Sequence, residues 1–341
     1  MHPRRQRGLS LVELMIGVTI GLALLAALGS LYVATSKARA EFNKTGEQVE
    51  NGRYALESMA RDIEMAGFFG RPGLPVSLQY NLPSACATAQ TAMGFDTTTT
   101  PITVPVAVSG VAAGGAAPTC LTGMTAGSEA ITVRYASGNV SPAASGTEFY
   151  LQQSSCTTDT KQLVYDSKAA NFTLLGKACD GTKPAELRKY VVRSYYLTGC
   201  DNCGTGGDST PTLKVAEFVN GSIQVSSLVA GIQDMHLSYG IDTDNNGSPD
   251  CYVDNPAIDN SATCTGNASY NWANATTNWA NVTAVRVTVL ARNLDPTVGW
   301  TDTRTYDLGR ATPDGPYNDA YKRHVYSAVA RVWNVGGVRE N

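Results

Sequence analysis

Residues 4–17 read Arg4-Arg5-Gln6-Arg7-Gly8-Leu9-Ser10-Leu11-Val12-Glu13-Leu14-Met15-Ile16-Gly17. A basic leader and a glycine precede a long apolar run that carries one acid near its start. No charged residue occurs from Leu14 to Ser36, and at a rise of about 1.5 Å per helical residue this stretch reaches about 34 Å. That is enough to cross a hydrocarbon core of about 30 Å. Arg4, Arg5 and Arg7 lie on one side of the run, so the positive-inside bias holds that end in the cytoplasm and sends the chain beyond Lys37 across. Glu13 is the anomaly. A carboxylate at the head of a spanning helix costs about 2 to 3 kcal/mol unless it reaches headgroups or a partner, which makes it the first functional candidate.

The string Gly8-Leu9-Ser10-Leu11-Val12-Glu13-Leu14-Met15-Ile16-Gly17 resembles the class III leader of type IV prepilins and pseudopilins. The resemblance implies that a prepilin peptidase cuts after Gly8 and that the new N-terminus, Leu9, is methylated. Glu13 then becomes the fifth mature residue, and in the family that acid pairs with the terminal amine of a neighbouring subunit. Leu9 departs from the Phe usual at that position. Two other readings compete. An ordinary signal peptide cut after Ala38-Arg39-Ala40 would have an apolar region of only about 7 to 15 residues and would not open on Glu. A plain anchor with an incidental acid is the other. The lack of a cysteine just after the leader argues against lipid attachment.

Past the membrane segment, Phe42, Val49, Leu56 and Ile63 recur every seven residues with Met59 and Ala66 beside them, while Lys44, Glu47, Glu50, Arg53, Glu57, Arg61 and Glu64 take other faces. This predicts that the helix continues from about Ser10 to Ala66, with Gly46 and Gly52 as weak points. It stops at Met65-Ala66-Gly67-Phe68-Phe69-Gly70-Arg71-Pro72, where Gly67 serves as C-cap and Pro72 blocks continuation. Arg61-Asp62-Ile63-Glu64-Met65-Ala66-Gly67-Phe68 also resembles the end of the long helix in PilW-type minor pilins and J-type secretion pseudopilins.

The remainder is poor in charge and rich in Gly, Thr and Tyr. Strand chemistry appears at 102–108, 130–135, 148–152, 162–165, 189–197, 213–218, 222–225, 235–241, 282–290 and 324–333. The expected class is α+β: a long N-terminal helix packed on a mostly antiparallel β-sheet domain with disulfides. This arrangement resembles the pilin fold, and Arg323 to Asn334 resembles the closing strand of PilW-type proteins, with Trp333-Asn334 where relatives often have Arg-Asn. The divisions are leader 1–8, membrane or filament-core half-helix 9–36, amphipathic half-helix 37–69 and β-rich domain 70–341. A net charge of −3 carries no nucleic-acid signature. Eight cysteines, all beyond the membrane segment, fit an oxidising periplasm. Pairing nearest neighbours, 86 with 120, 156 with 179, 200 with 203 and 251 with 264, is the simplest of 105 connectivities.

Asp242-Thr243-Asp244-Asn245-Asn246-Gly247-Ser248-Pro249-Asp250 places oxygen ligands as the front of an EF-hand-like calcium loop does. Asp242, Asp244 and Asn246 would offer side chains, Ser248 its carbonyl and Asp250 a direct or water-mediated contact. Val253 stands where the bidentate Glu belongs, and an Asp/Asn/Gly turn after the strand 235–241 is the alternative. Calcium is the only cofactor in question. Cys200-Asp201-Asn202-Cys203 has redox spacing without the strand-then-helix context, so a structural bridge is expected. His236 and His324 fall inside strands, and no nucleophile elbow, zinc-protease or phosphate-loop motif occurs, so no enzyme is expected. The aromatics between Tyr270 and Trp279 suit either a sugar-binding face or a loop packed on the sheet. The resemblance implies a minor pilin that assembles into, primes or caps a type IV pilus. Its partners would be other major and minor pilins, the prepilin peptidase and the inner-membrane assembly platform. Alternatives are a J-type pseudopilin of type II secretion and a membrane-anchored, calcium-stiffened adhesin.

Overall fold

The computed structural model describes Gly8, residues 10–70 and residues 78–340. Arg4, Arg5, Arg7, Leu9, Arg71 and Pro72 lie outside the described residues. Helix α1 spans Leu11–Met65, and the chain divides into two units, Met1–Glu47 and Gln48–Asn341.

In the first unit α1 is free of charge all round from Leu14 to Ser36. Its best 18-residue window has a mean hydropathy of 2.4, and none of that window is buried. The few hydroxyls turn back on the helix's own carbonyls: Thr19 donates to Met15 (3.0 Å), Ser30 to Ala27 (2.8 Å) and Thr35 to Leu31 (2.8 Å). Polar groups satisfied within the segment are what a bilayer, which offers no hydrogen bonds, requires.

The second unit is built on two antiparallel sheets. Seven strands form one: β3 (Val108–Val111), β4 (Ala130–Val140), β5 (Tyr150–Gln153), β6 (Leu163–Asp166), β7 (Leu187–Thr198), β8 (Thr212–Val219) and β9 (Ser222–Ala230). They run in the order β3-β4-β7-β5-β6, with the β8–β9 hairpin joined to β7. The other sheet has the order β11-β10-β12-β13, from β10 (Ile232–Ile241), β11 (Cys251–Val253), β12 (Val282–Arg292) and β13 (Arg323–Arg331). A parallel pair, β1 (Leu78–Asn81) with β2 (Ile102–Pro105), stands apart. The predicted strand 102–108 is split in two because it changes partner: Ile102–Pro105 pairs with β1 and Val108 onward pairs with β4. Two short helices, α2 (Ala275–Ala280) and α3 (Trp333–Gly336), complete the unit. All eight cysteines are paired, in the nearest-neighbour order.

One core joins α1 to both sheets: Ala55, Leu56, Met59, Ile63 and Ala66 pack against Val133, Tyr195, Leu237 and Val287. The seven-residue stripe needs correcting, because Val49 is 39% and Phe42 77% exposed. A heptad repeat drifts about 20° per turn pair on a straight helix. The buried face therefore follows the 3.6-residue period through Gln48, Gly52, Ala55, Leu56, Met59, Asp62 and Ile63. Gly52, expected to be a weak point, is a seat for a ring: a Cβ there would lie 2.4 Å from Tyr326 of β13. Gly67, with φ +79°, ends the helix as expected.

Gly52→Ala should therefore cost about 1 to 3 kcal/mol, through forced displacement of the Tyr326 ring. Gly46→Ala, with nothing within 4 Å of the new Cβ, should be neutral or stabilise by up to about 1 kcal/mol. Urea unfolding midpoints of the two variants check the contrast.

Candidate functional site

The helix start is organised by residues the sequence singled out. Ser10 is the last residue before α1, and its carbonyl accepts from Leu14 N–H at 3.1 Å. Glu13, third in the helix, reaches back so that its carboxylate accepts the Ser10 N–H at 3.0 Å. This is half of a capping box, which satisfies a donor left over at every helix N-terminus. Glu13 is exposed, as are Leu11, Met15, Ile16, Leu22 and Leu25 around and behind it, each more than half exposed. Such a continuous apolar surface demands a cover of lipid or other helices. Gly8 lies two residues ahead of Ser10, and Leu9 is outside the described residues.

In the second unit, one acid on the buried face of α1 ties the helix to the seven-stranded sheet. Asp62, 7% exposed, accepts the hydroxyls of Tyr135 on β4 (2.8 Å) and Tyr195 on β7 (2.7 Å) and the Arg193 guanidinium (3.2 Å). Arg193 also binds Glu217 through Nε at 3.0 Å. Burial first, and then the Asp62 charge, push both phenols well above their ordinary range, so each remains a donor. Asp62 lies within the stretch Arg61 to Phe68, whose sequence alone assigns it no role. The available signal was an acid in register with the buried positions 55, 59 and 66.

The end of α1 is held from the far end of the chain. Asn334 Nδ2 donates to the carbonyls of Met65 and Ala66, both at 3.3 Å. These are among the acceptors that the last turn of a helix leaves open. The expected closing strand accordingly stops at Arg331. Trp333 and Asn334 open α3 instead, a correction explained by the turn that delivers Asn334 to the helix end.

The acidic loop after β10 closes on itself. Asp242, Asp244 and Asp250 bring carboxylate oxygens within 4.8 Å of one another. Asp242 is buried, accepts the N–H groups of Asn246 (3.1 Å) and Gly247 (2.9 Å), and pairs with Arg339 at 2.9 Å. Burial works against its charge, but Arg339 and Gly247 outweigh it and hold the carboxyl below the usual range. Asp244 accepts from Asn246 N–H, Ser248 N–H donates to Asn246 Oδ1, and Asp250 accepts the Thr243 N–H. The three carboxylates converge, and the cation beside Asp242 is Arg339.

Other candidates resolve into structure. His236 is buried in β10, with Nδ1 2.9 Å from Glu129, and His324 is exposed on β13. Cys200–Cys203 closes a turn whose backbone donates to Asp208, which is held down at about 2 by the N–H groups of Asn202, Thr210 and Asp201. Trp272 and Trp279 are buried, with Trp279 edge-on to Tyr239 at 4.7 Å, so these rings pack on the sheet and present no sugar-binding face.

Two family models match the chain. A prokaryotic N-terminal methylation motif covers residues 3–29, and type IV pilus-assembly protein W covers residues 194–334. Among solved structures, a type IV-like pilin from Thermus thermophilus aligns at 10% identity with a TM-score of 0.34, over 84% of this chain and 97% of that one. No curated protein matches the chain. An apolar helix with a methylation motif, leading into a disulfide-bonded sheet domain, defines a type IV pilin, a class of structural proteins anchored through that helix. Within the class, the match to type IV pilus-assembly protein W over residues 194–334, together with the methylation motif, supports a minor pilin of the PilW type. Membership implies assembly with other pilins and with pilus machinery.

Asp62→Ala should destabilise the sheet domain by about 3 to 5 kcal/mol, since it leaves Arg193 and two phenols facing a buried gap. Asp62→Asn, which keeps acceptor capacity, should cost less. Equilibrium unfolding followed by tyrosine fluorescence measures both.

Proposed function

We propose that the chain enters the inner membrane with its N-terminus cytoplasmic and its sheet domain periplasmic, is cut after Gly8 by prepilin peptidase and is methylated on Leu9. Its half-helix 9–36 then exchanges lipid for the helices of other pilins, in a small complex that primes or caps the filament. The amphipathic half 37–69 and the β-rich domain 70–341 stay outside the membrane. The observation that carries this reading is an uncovered apolar helix segment with a single acid in its first turn. Apolar contact alone tolerates sliding between helices in lipid. A carboxylate that must meet a neighbour's amine selects one axial offset, because any other leaves a charge in hydrocarbon. The Ser10 N–H contact holds Glu13 at the helix mouth, where a neighbour's terminus can reach it.

The mature protein should carry N-methyl-Leu9 by mass spectrometry. Glu13→Ala, inserted at the wild-type level, should reduce surface piliation at least tenfold. An unprocessed N-terminus, or normal piliation with the variant, would sink the proposal.

A second reading concerns calcium, favoured by the convergence of Asp242, Asp244 and Asp250. The ion would be bound by these carboxylates with Asn246 and the Ser248 carbonyl, would displace Arg339 and would stiffen the loop. A melting temperature at 5 mM calcium that exceeds the EGTA value by about 4 °C or more, roughly 1 kcal/mol, supports it. Equal values remove it.

A further inference from the structure

A polar cleft of about 680 Å³ lies in the part of the sheet domain ahead of residues 194–334. Its walls have an unusual origin, because every lining residue falls inside one of two disulfide-closed loops. Gln90, Thr91, Phe95 and 96–98 come from the loop closed by Cys86–Cys120. Lys161, 164–166, 170, 171 and Thr173 come from the loop closed by Cys156–Cys179. The two walls are joined across the cleft floor. Phe95 stacks on Tyr165 with centroids 4.4 Å apart, and Gln90 Nε2 donates to the Tyr165 carbonyl at 3.2 Å.

The rim is fixed as firmly as the floor. Asp96 accepts the hydroxyl (2.7 Å) and the N–H (2.9 Å) of Thr98. Asp166 accepts the backbone N–H groups of Ser167 and Lys168 and the Asn171 amide. Each carboxylate has more acceptor sites than these bonds use. Hydroxyls, amides and two carboxylates thus face a shaped space with an apolar floor, and Lys161 is the one cation among the lining residues. Two acids against one base disfavour phosphates and other anions. A lining dominated by polar groups disfavours lipid. What fits is a ligand with many hydroxyls, which carboxylates and amides bind in pairs, and with C–H faces to lie on the floor.

We propose that this cleft binds a neutral oligosaccharide. Covalent closure of both walls lowers the ordering cost of binding, and no residue of α1 lines the site.

The test uses the full chain in a detergent without a sugar headgroup, with maltotetraose, cellotetraose, chitotetraose and lacto-N-tetraose as probes in saturation-transfer NMR and calorimetry. At least one probe should bind, and the double variant Thr91→Arg/Thr173→Arg, at exposed wall positions, should weaken it at least tenfold with melting temperature and piliation unchanged. Should that variant lose stability, Lys161→Glu at another exposed wall position carries the same expectation. Absence of binding by all four probes, or binding that the wall variants leave intact, overturns the proposal. Binding confined to an oligogalacturonate control overturns the neutral class. Probe binding is read on the isolated chain and does not depend on filament assembly, so each proposal fails separately.

Discussion

The burial of a single carboxylate, Asp62, governs how the sheet domain holds its helix. Apolar contacts from Ala55, Leu56, Met59, Ile63 and Ala66 supply the larger share of the stabilisation but are indifferent to small rotations of a helix. Asp62 is not indifferent. It is satisfied only where two tyrosine hydroxyls and Arg193 converge, which fixes the helix about its axis against β4 and β7. The Tyr326 ring seated on Gly52 fixes the same helix against the four-stranded sheet, and Asn334 fixes its end. Three contacts from three elements leave α1 a single seating in this unit.

The same helix meets a different requirement in its first unit, where it buries nothing and carries no charge from Leu14 to Ser36. The transition is written in composition. Charged residues resume at Lys37, and from Gln48 onward one face is committed to the sheets. A pilin needs both kinds of surface on one element, since a surface satisfied inside its own domain is lost to assembly. Farther along, the ordering of loops passes from hydrophobic burial to covalent closure. The stretch 86–179 has long connections between its strands and holds two of the four disulfides. The connection 294–322 is pinned instead by ion pairs, a buried one of Arg323 with Asp302 at 2.9 Å and a half-buried one of Arg310 with Asp234 at 2.7 Å.

The apolar run, its acid, the glycine that stops α1 and most strands were legible in the sequence, because each depends on residues within a few positions of one another: hydropathy over a window, alternation along a strand, a left-handed glycine. The cysteine pairing was legible for a related reason, since short loops close at least entropic cost. The carboxylates of the 242–250 loop converge for the same local reason, whereas the arrival of Arg339 beside Asp242 was not visible. Asp62 looked like part of a helix terminus, Gly52 like a flaw and Trp333-Asn334 like the end of a strand. Each acquires its role from a partner 73 to 274 residues away. Sequence by itself thus determined which surfaces the chain must hide from water and where its helix begins and ends. Tertiary structure alone decided which polar groups meet inside, because that depends on strand register and sheet order, and these are set by the packing of the whole core.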